Sequence, residues 1–115
     1  MSFKPIRDFE VEVASFFGAP FAVATDCCTH AVELCLRYTK AKKITVPKHT
    51  YISIPMLATK LLISLEWRDL DWRDYYNVTD KVIDAAVLWR ADSYVPQTFM
   101  CISFQFKKHL SLGRG

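Results

Sequence analysis

Lys107-Lys108-His109 follows the apolar run 99–104, and Ser103 stands five residues before Lys108. A lysine held in a partly desolvated pocket loses its proton more readily and attacks an aldehyde, whereas a solvated one stays charged. On residue types alone, the same three residues also read as a basic surface turn. Asp84 closes another apolar stretch, Val82-Ile83. On residue type alone, a carboxylate there caps a helix or ends a strand. Tyr51 ends the loop Val46-Pro47-Lys48-His49-Thr50-Tyr51. Its ring could stack on a flat ligand or sit as a core or rim aromatic. Ala24-Thr25-Asp26-Cys27-Cys28-Thr29-His30-Ala31 leads into helical periodicity. The start of such a helix attracts phosphate through free N–H groups and the helix dipole, unless Thr25 or Asp26 merely caps it.

These residues need elements to place them. Ile6, Phe9, Val13 and Phe16 recur at helical spacing, and Gly18 with Pro20 supplies the stop. Residues 21–24 read as a short strand, then a turn, then a helix over 31–38. Residues 44–46 form a β-branched run ended by Pro47, followed by a helical stripe at Ile54, Leu57, Ala58, Leu61 and Leu62. Residues 64–67 suggest a third strand. Residues 68–80, polar and aromatic with alternating charge, read as an exposed connection. Residues 82–86 and 99–104 are strand-like, with a turn over 92–97 containing Pro96. The alternation predicts an α/β fold, a mostly parallel sheet flanked by helices, with ligand sites beyond the carboxyl ends of the strands.

In their order along the chain these segments resemble the DegT/StrS family of sugar aminotransferases. The carrying motif is Ile102-Ser103-Phe104-Gln105-Phe106-Lys107-Lys108 with the turn through Gly113, which is similar to the family's Phe-Ser-Phe strand, its lysine and its glycine-rich turn. The resemblance implies pyridoxal 5'-phosphate (PLP) as cofactor, with Lys108 rather than Lys107 forming the Schiff base. It implies Ser103 on the cofactor phosphate and Asp84, in Val82-Ile83-Asp84-Ala85-Ala86, facing the pyridine nitrogen. It implies Tyr51 stacked on the ring, and Cys28 and Thr29 at the phosphate-binding Gly-Thr positions. The substrates would be a keto-sugar nucleotide and an amino acid donor, the fold that of the large domain of fold type I PLP-dependent transferases, and the assembly a homodimer.

The chain departs from that pattern in places. Cys28 stands for the usual glycine, and Val87 where family members carry Gln or His three residues after the aspartate. The interval between Tyr76 and Val82 lacks a strand, loop and helix, and that from Asp84 to Lys108 is short. Residues 1–115 therefore read as part of the large domain, cut short, with the small domain absent. The alternative is a noncatalytic, shortened relative serving dimerisation or the binding of a ligand or partner.

Composition narrows the classes further. Half the 115 residues are hydrophobic, enough to bury a core, and a net charge of +3 is too small to argue for nucleic acid. The start lacks the apolar stretch of a signal peptide, and no run reaches the roughly 20 apolar residues of a membrane span. Cys27, Cys28, Cys35 and Cys101 show neither CxxC spacing nor a disulfide rhythm, so reduced thiols in a cytoplasm are expected.

Overall fold

The computed structural model describes residues 3 to 104. Helix α1 spans Lys4–Phe17, with Pro5 in its first turn, where a missing N–H costs nothing. Gly18 ends it in the left-handed conformation (φ 72°). A Cβ at Gly18 would strain that backbone and meet Asp92 Oδ1 at 3.2 Å, so the left-handed conformation favours glycine and the Asp92 side chain would have to shift slightly for any other residue. The last carbonyls of α1 are satisfied from afar, Phe16 by the N–H of Asp92 at 2.9 Å and Phe17 by that of Tyr94 at 3.0 Å. Phe16 also stacks on Trp89 with ring centroids 4.5 Å apart. The expected turn at 92–97 therefore does more than reverse the chain, because it docks the end of the first helix.

Helix α2 (Cys28–Tyr38) buries Val32 and Leu36, and helix α3 (Ser53–Leu61) buries Ile54, Leu57 and Ala58, as their apolar spacing predicts. Strand β1 (Lys43–Pro47) pairs in parallel with β2 (Ser64–Arg68) across α3. A second sheet has the order β3 (Tyr76–Asn77), β4 (Val82–Asp84), β5 (Phe99–Cys101). The N–H of Thr45 in β1 donates to the carbonyl of Val78, just past β3, at 2.9 Å and links the two sheets. Helix α3 packs on β1 and β2, α2 on β4 and β5, and the two helices touch each other. The core they enclose is built from Val32, Leu36, Ile44, Val46, Ile54 and Leu57 with Tyr76, Val78, Val82 and Cys101.

Two expectations are corrected here. Residues 21–24 form no strand, and Phe21 and Val23 lie 70% and 74% exposed. The N–H of Ala24 goes instead to the Glu10 carboxylate at 2.7 Å. Residues 68–80 are not simply an exposed connection, since Tyr76 and Val78 are buried there. The expected mostly parallel pairing holds for β1 with β2 and for β4 with β5, though in two sheets, while β3 runs antiparallel to β4 through a tight turn. The Thr79 hydroxyl holds that turn by accepting from the N–H groups of Lys81 and Val82, both at 3.1 Å.

Glu33 couples the two sheet-covering helices. Its carboxylate receives Lys60 of α3 at 2.8 Å and Arg37 of α2 at 3.0 Å. The Lys60 bond, then that of Arg37, hold its pKa below the usual carboxylate range against the opposing effect of burial. A carboxyl lowered on folding stabilises above its unfolded pKa of about 4.3 and loses that contribution as pH falls through the folded value. Glu33→Gln is therefore expected to flatten the acid limb of stability against pH below about 4.5. Urea midpoints measured from pH 3 to pH 7 check this, and parallel curves for the two proteins would contradict it.

Candidate functional site

The polar groups of the core converge where β4 ends. Asp84 is the last residue of β4 and only 7% exposed. Its Oδ2 accepts the Tyr76 hydroxyl at 3.0 Å and its Oδ1 the N–H of Ala86 at 3.1 Å. Tyr76 has a single hydroxyl proton, and it is committed to Asp84. The 2.6 Å bond between Thr50 Oγ1 and the Tyr76 oxygen is therefore donated by the threonine. Burial first, and then the adjacent Asp84 charge, push the Tyr76 phenol well above its ordinary value, so it remains a donor across the whole working range of pH.

Thr50 belongs to the loop between β1 and α3, and this places Tyr51 beside the same network. Trp72 braces that loop by donating its Nε1–H to the carbonyl of His49 at 2.7 Å, while its ring meets Tyr76 edge-on at 4.9 Å. Tyr51 itself is 74% exposed, which rules out a place in the core. The start of α3 is tied to the start of α2 by the 2.8 Å bond between Ser53 Oγ and Thr29 Oγ1. Cys28 is the first residue of α2 and packs against the core that holds Tyr76 and Cys101. Asp84 is thus joined through Tyr76 to Thr50, the chain neighbour of Tyr51, and Thr29 is joined to Ser53.

Neither Thr25 nor Asp26 caps α2. Among the described residues no side chain does so, and Cys27 occupies the cap position in an extended conformation. Thr25 Oγ1 donates to the carbonyl of Cys27 at 3.0 Å, and Asp26 pairs with His30 at 2.7 Å, which lowers the Asp26 carboxyl pKa. The ligand-type atoms of Asp26, Cys27 and His30 lie within 4.8 Å of one another.

Ser103 is buried at 6% exposure and stands outside this hydrogen-bonded chain. Its neighbour Phe104 packs edge-on against Phe9 of α1 at 5.2 Å. Val87, 41% exposed, offers no side-chain polar group to the site. Lys108 lies outside the described residues, as do Lys107 and the glycine-rich turn. Sequence reasoning missed Tyr76, Thr50 and Trp72. The in-out-in alternation of Tyr76, Asn77 and Val78 was the available signal, and it is short and set among charged residues.

Residues 1–101 match the model of the DegT/DnrJ/EryC1/StrS aminotransferase family. The chain belongs to that family. No curated protein and no solved structure matches the chain. Members of the family are generally PLP-dependent, and the match covers Cys28, Thr29, Tyr51 and Asp84 but ends before Ser103 and Lys108. Among the described residues, no helix is long and apolar enough to cross a membrane.

Proposed function

We propose that this family member binds PLP at the carboxyl ends of its strands and acts as an aminotransferase. In this reading it moves an amino group from an amino acid donor to a keto-sugar nucleotide, in the cytoplasm and as a homodimer of the fold type I class. What supports the reading is a buried carboxylate, Asp84, tied through Tyr76 to Thr50, the chain neighbour of the exposed Tyr51, with the start of α2 tied separately to that of α3. These are the groups a phosphorylated pyridine requires. Asp84 would hold the ring nitrogen through its carboxylate, which Tyr76 and the Ala86 N–H orient. Tyr51 would cover one face of the ring. The start of α2 at Cys28 and Thr29 would take the phosphate, joined by Ser103, and Lys108 would be the attachment lysine. When bound, PLP supplies an electron sink for the amino-transfer chemistry.

The chain's own residues have distinct tasks in this scheme. Tyr76 orients the Asp84 carboxylate by donating its hydroxyl to Oδ2. Thr50 fixes Tyr76 in turn, and Trp72 holds the loop that carries Tyr51. Burial of Asp84 keeps water from competing for the ring nitrogen. Lys108 would exchange the proton during transfer, as a lysine of lowered pKa can.

A second reading, a noncatalytic relative that dimerises or binds a ligand or partner, is favoured by Val87, whose side chain gives no hydrogen bond to the cofactor. One titration addresses both. Adding PLP to the chain should produce a saturable visible absorption change, which subsequent addition of an amino donor shifts. Saturable binding with no response to any amino donor supports the noncatalytic relative. No saturable binding defeats the cofactor site itself.

A further inference from the structure

Two thiols that the cofactor reading does not use face each other across the seam between α2 and β5. Cys35 Sγ and Cys101 Sγ lie 4.0 Å apart, although the residues are 66 positions apart in sequence. Both line an apolar cavity of about 730 Å³, walled by Phe9 and Val13 of α1, Ala31 and Tyr38 of α2, and Phe99 of β5. Cys101 is otherwise sealed at 3% exposure, while Cys35 is half-buried. The seam is held in register by the Tyr38 and Phe99 rings, which meet edge-on at 5.7 Å. A disulfide needs sulfurs about 2 Å apart, so closing the bond means drawing the two sulfurs about 2 Å nearer to each other.

We propose that Cys35 and Cys101 form an oxidisable pair that closes to a disulfide by exchange with a low-molecular-weight disulfide. Cys35 attacks first. It is the more accessible sulfur, and the hydrogen bond from Cys101 favours its thiolate, while that same bond and burial push the Cys101 thiol well above its ordinary value. The Cys35 thiolate displaces one thiolate from the small disulfide and becomes a mixed disulfide. Cys101 then gives its proton to the departing side and attacks Cys35 Sγ, expelling the second small thiolate. Two electrons pass from the pair to the small disulfide, which ends as two thiols.

The location gives the bond a consequence. Cys101 is the register partner of Asp84, and its carbonyl accepts the N–H of Ala85 at 2.9 Å. A covalent tie from α2 to Cys101 therefore braces the strand beside Asp84 and closes a long loop, which raises thermal stability. Neither sulfur belongs to the groups assigned to PLP, so the proposal stands whether or not the cofactor binds.

The test incubates the reduced full chain with glutathione disulfide, alkylates remaining thiols after denaturation, and maps the peptides. A Cys35–Cys101 cross-link with Cys27 and Cys28 alkylated, a loss of two hydrogens per chain and a melting temperature several degrees higher are expected. In Cys101→Ser the reaction should stop at glutathione on Cys35, released by reductant. The wild-type map decides the matter even if that variant does not fold. Alkylation of both Cys35 and Cys101 after exhaustive oxidation, or a bond from Cys101 to Cys28 in their place, would overturn the assignment.

Discussion

Asp84→Asn is expected to weaken PLP binding by about 10- to 100-fold while changing the stability of the folded chain by about 1 kcal/mol or less. The small second effect follows from the network around the residue. In the wild type, Tyr76 donates to Asp84 and accepts from Thr50. An asparagine can keep its carbonyl on the Ala86 N–H and turn its amide toward the Tyr76 oxygen. Tyr76 then donates to Thr50, and each member of the network still has a partner. The large first effect follows from charge. A neutral amide cannot hold a protonated pyridine nitrogen as a carboxylate does, and a hydrogen bond to a charged group is worth about 1.5–3 kcal/mol. Absorbance titration with PLP and urea unfolding separate the two quantities. Unchanged affinity in a folded Asp84→Asn protein would place the cofactor elsewhere.

Leu36→Ala is expected to cost roughly 3 kcal/mol, within the 2–5 kcal/mol usual for buried leucines. Leu36 is 2% exposed and lies between α2 and the sheet, in a core shared with Val32, Ile44 and Val46. Its truncation removes apolar burial and leaves a cavity that parallel strands on one side and α3 on the other cannot collapse to fill. Against a typical domain stability of about 5–15 kcal/mol the loss is large, and the melting temperature should fall by about 10 °C or more. Leu34 in the same helix is 57% exposed, so Leu34→Ala should cost no more than about 0.5 kcal/mol. Thermal unfolding of the pair checks the claim, and equal losses would mean that α2 does not present Val32 and Leu36 to the sheet.

The helices were legible because their apolar residues repeat at a period that only a helix places on one face. Val32 and Leu36, or Ile54, Leu57 and Ala58, needed no knowledge of the rest of the chain. Strands β1, β2, β4 and β5 were legible as β-branched or aromatic runs, although β1 and β2 extend beyond the expected runs and β4 and β5 stop short of theirs. Phe21 and Val23 misled because an apolar run becomes a strand only when another strand pairs with it. Tyr76 and Val78 were hidden for the opposite reason. A two-residue strand set among Asp71, Arg73, Asp74 and Asp80 shows too little alternation to stand out, and β4 makes it a strand.

The site divides in the same way. Asp84 was legible as a carboxylate at the end of an apolar run, and Tyr51 and the start of α2 from their local context and family resemblance. Tyr76 and Thr50 were not, because the meeting of residues 50, 76 and 84 is a product of sheet order and leaves no mark in local spacing. The uncapped start of α2 was likewise decided by conformation, since Thr25 and Asp26 are both of capping type and both turn to other partners.

Reductive trapping tests the cofactor site most directly. The chain is incubated with PLP, treated with borohydride, digested and mapped. The account predicts one pyridoxyl group per chain, carried by Lys108, with labelling strongly reduced in Asp84→Asn at subsaturating PLP. A label spread over surface lysines, or concentrated on Lys107 or any other residue with Lys108 unmodified, would contradict it.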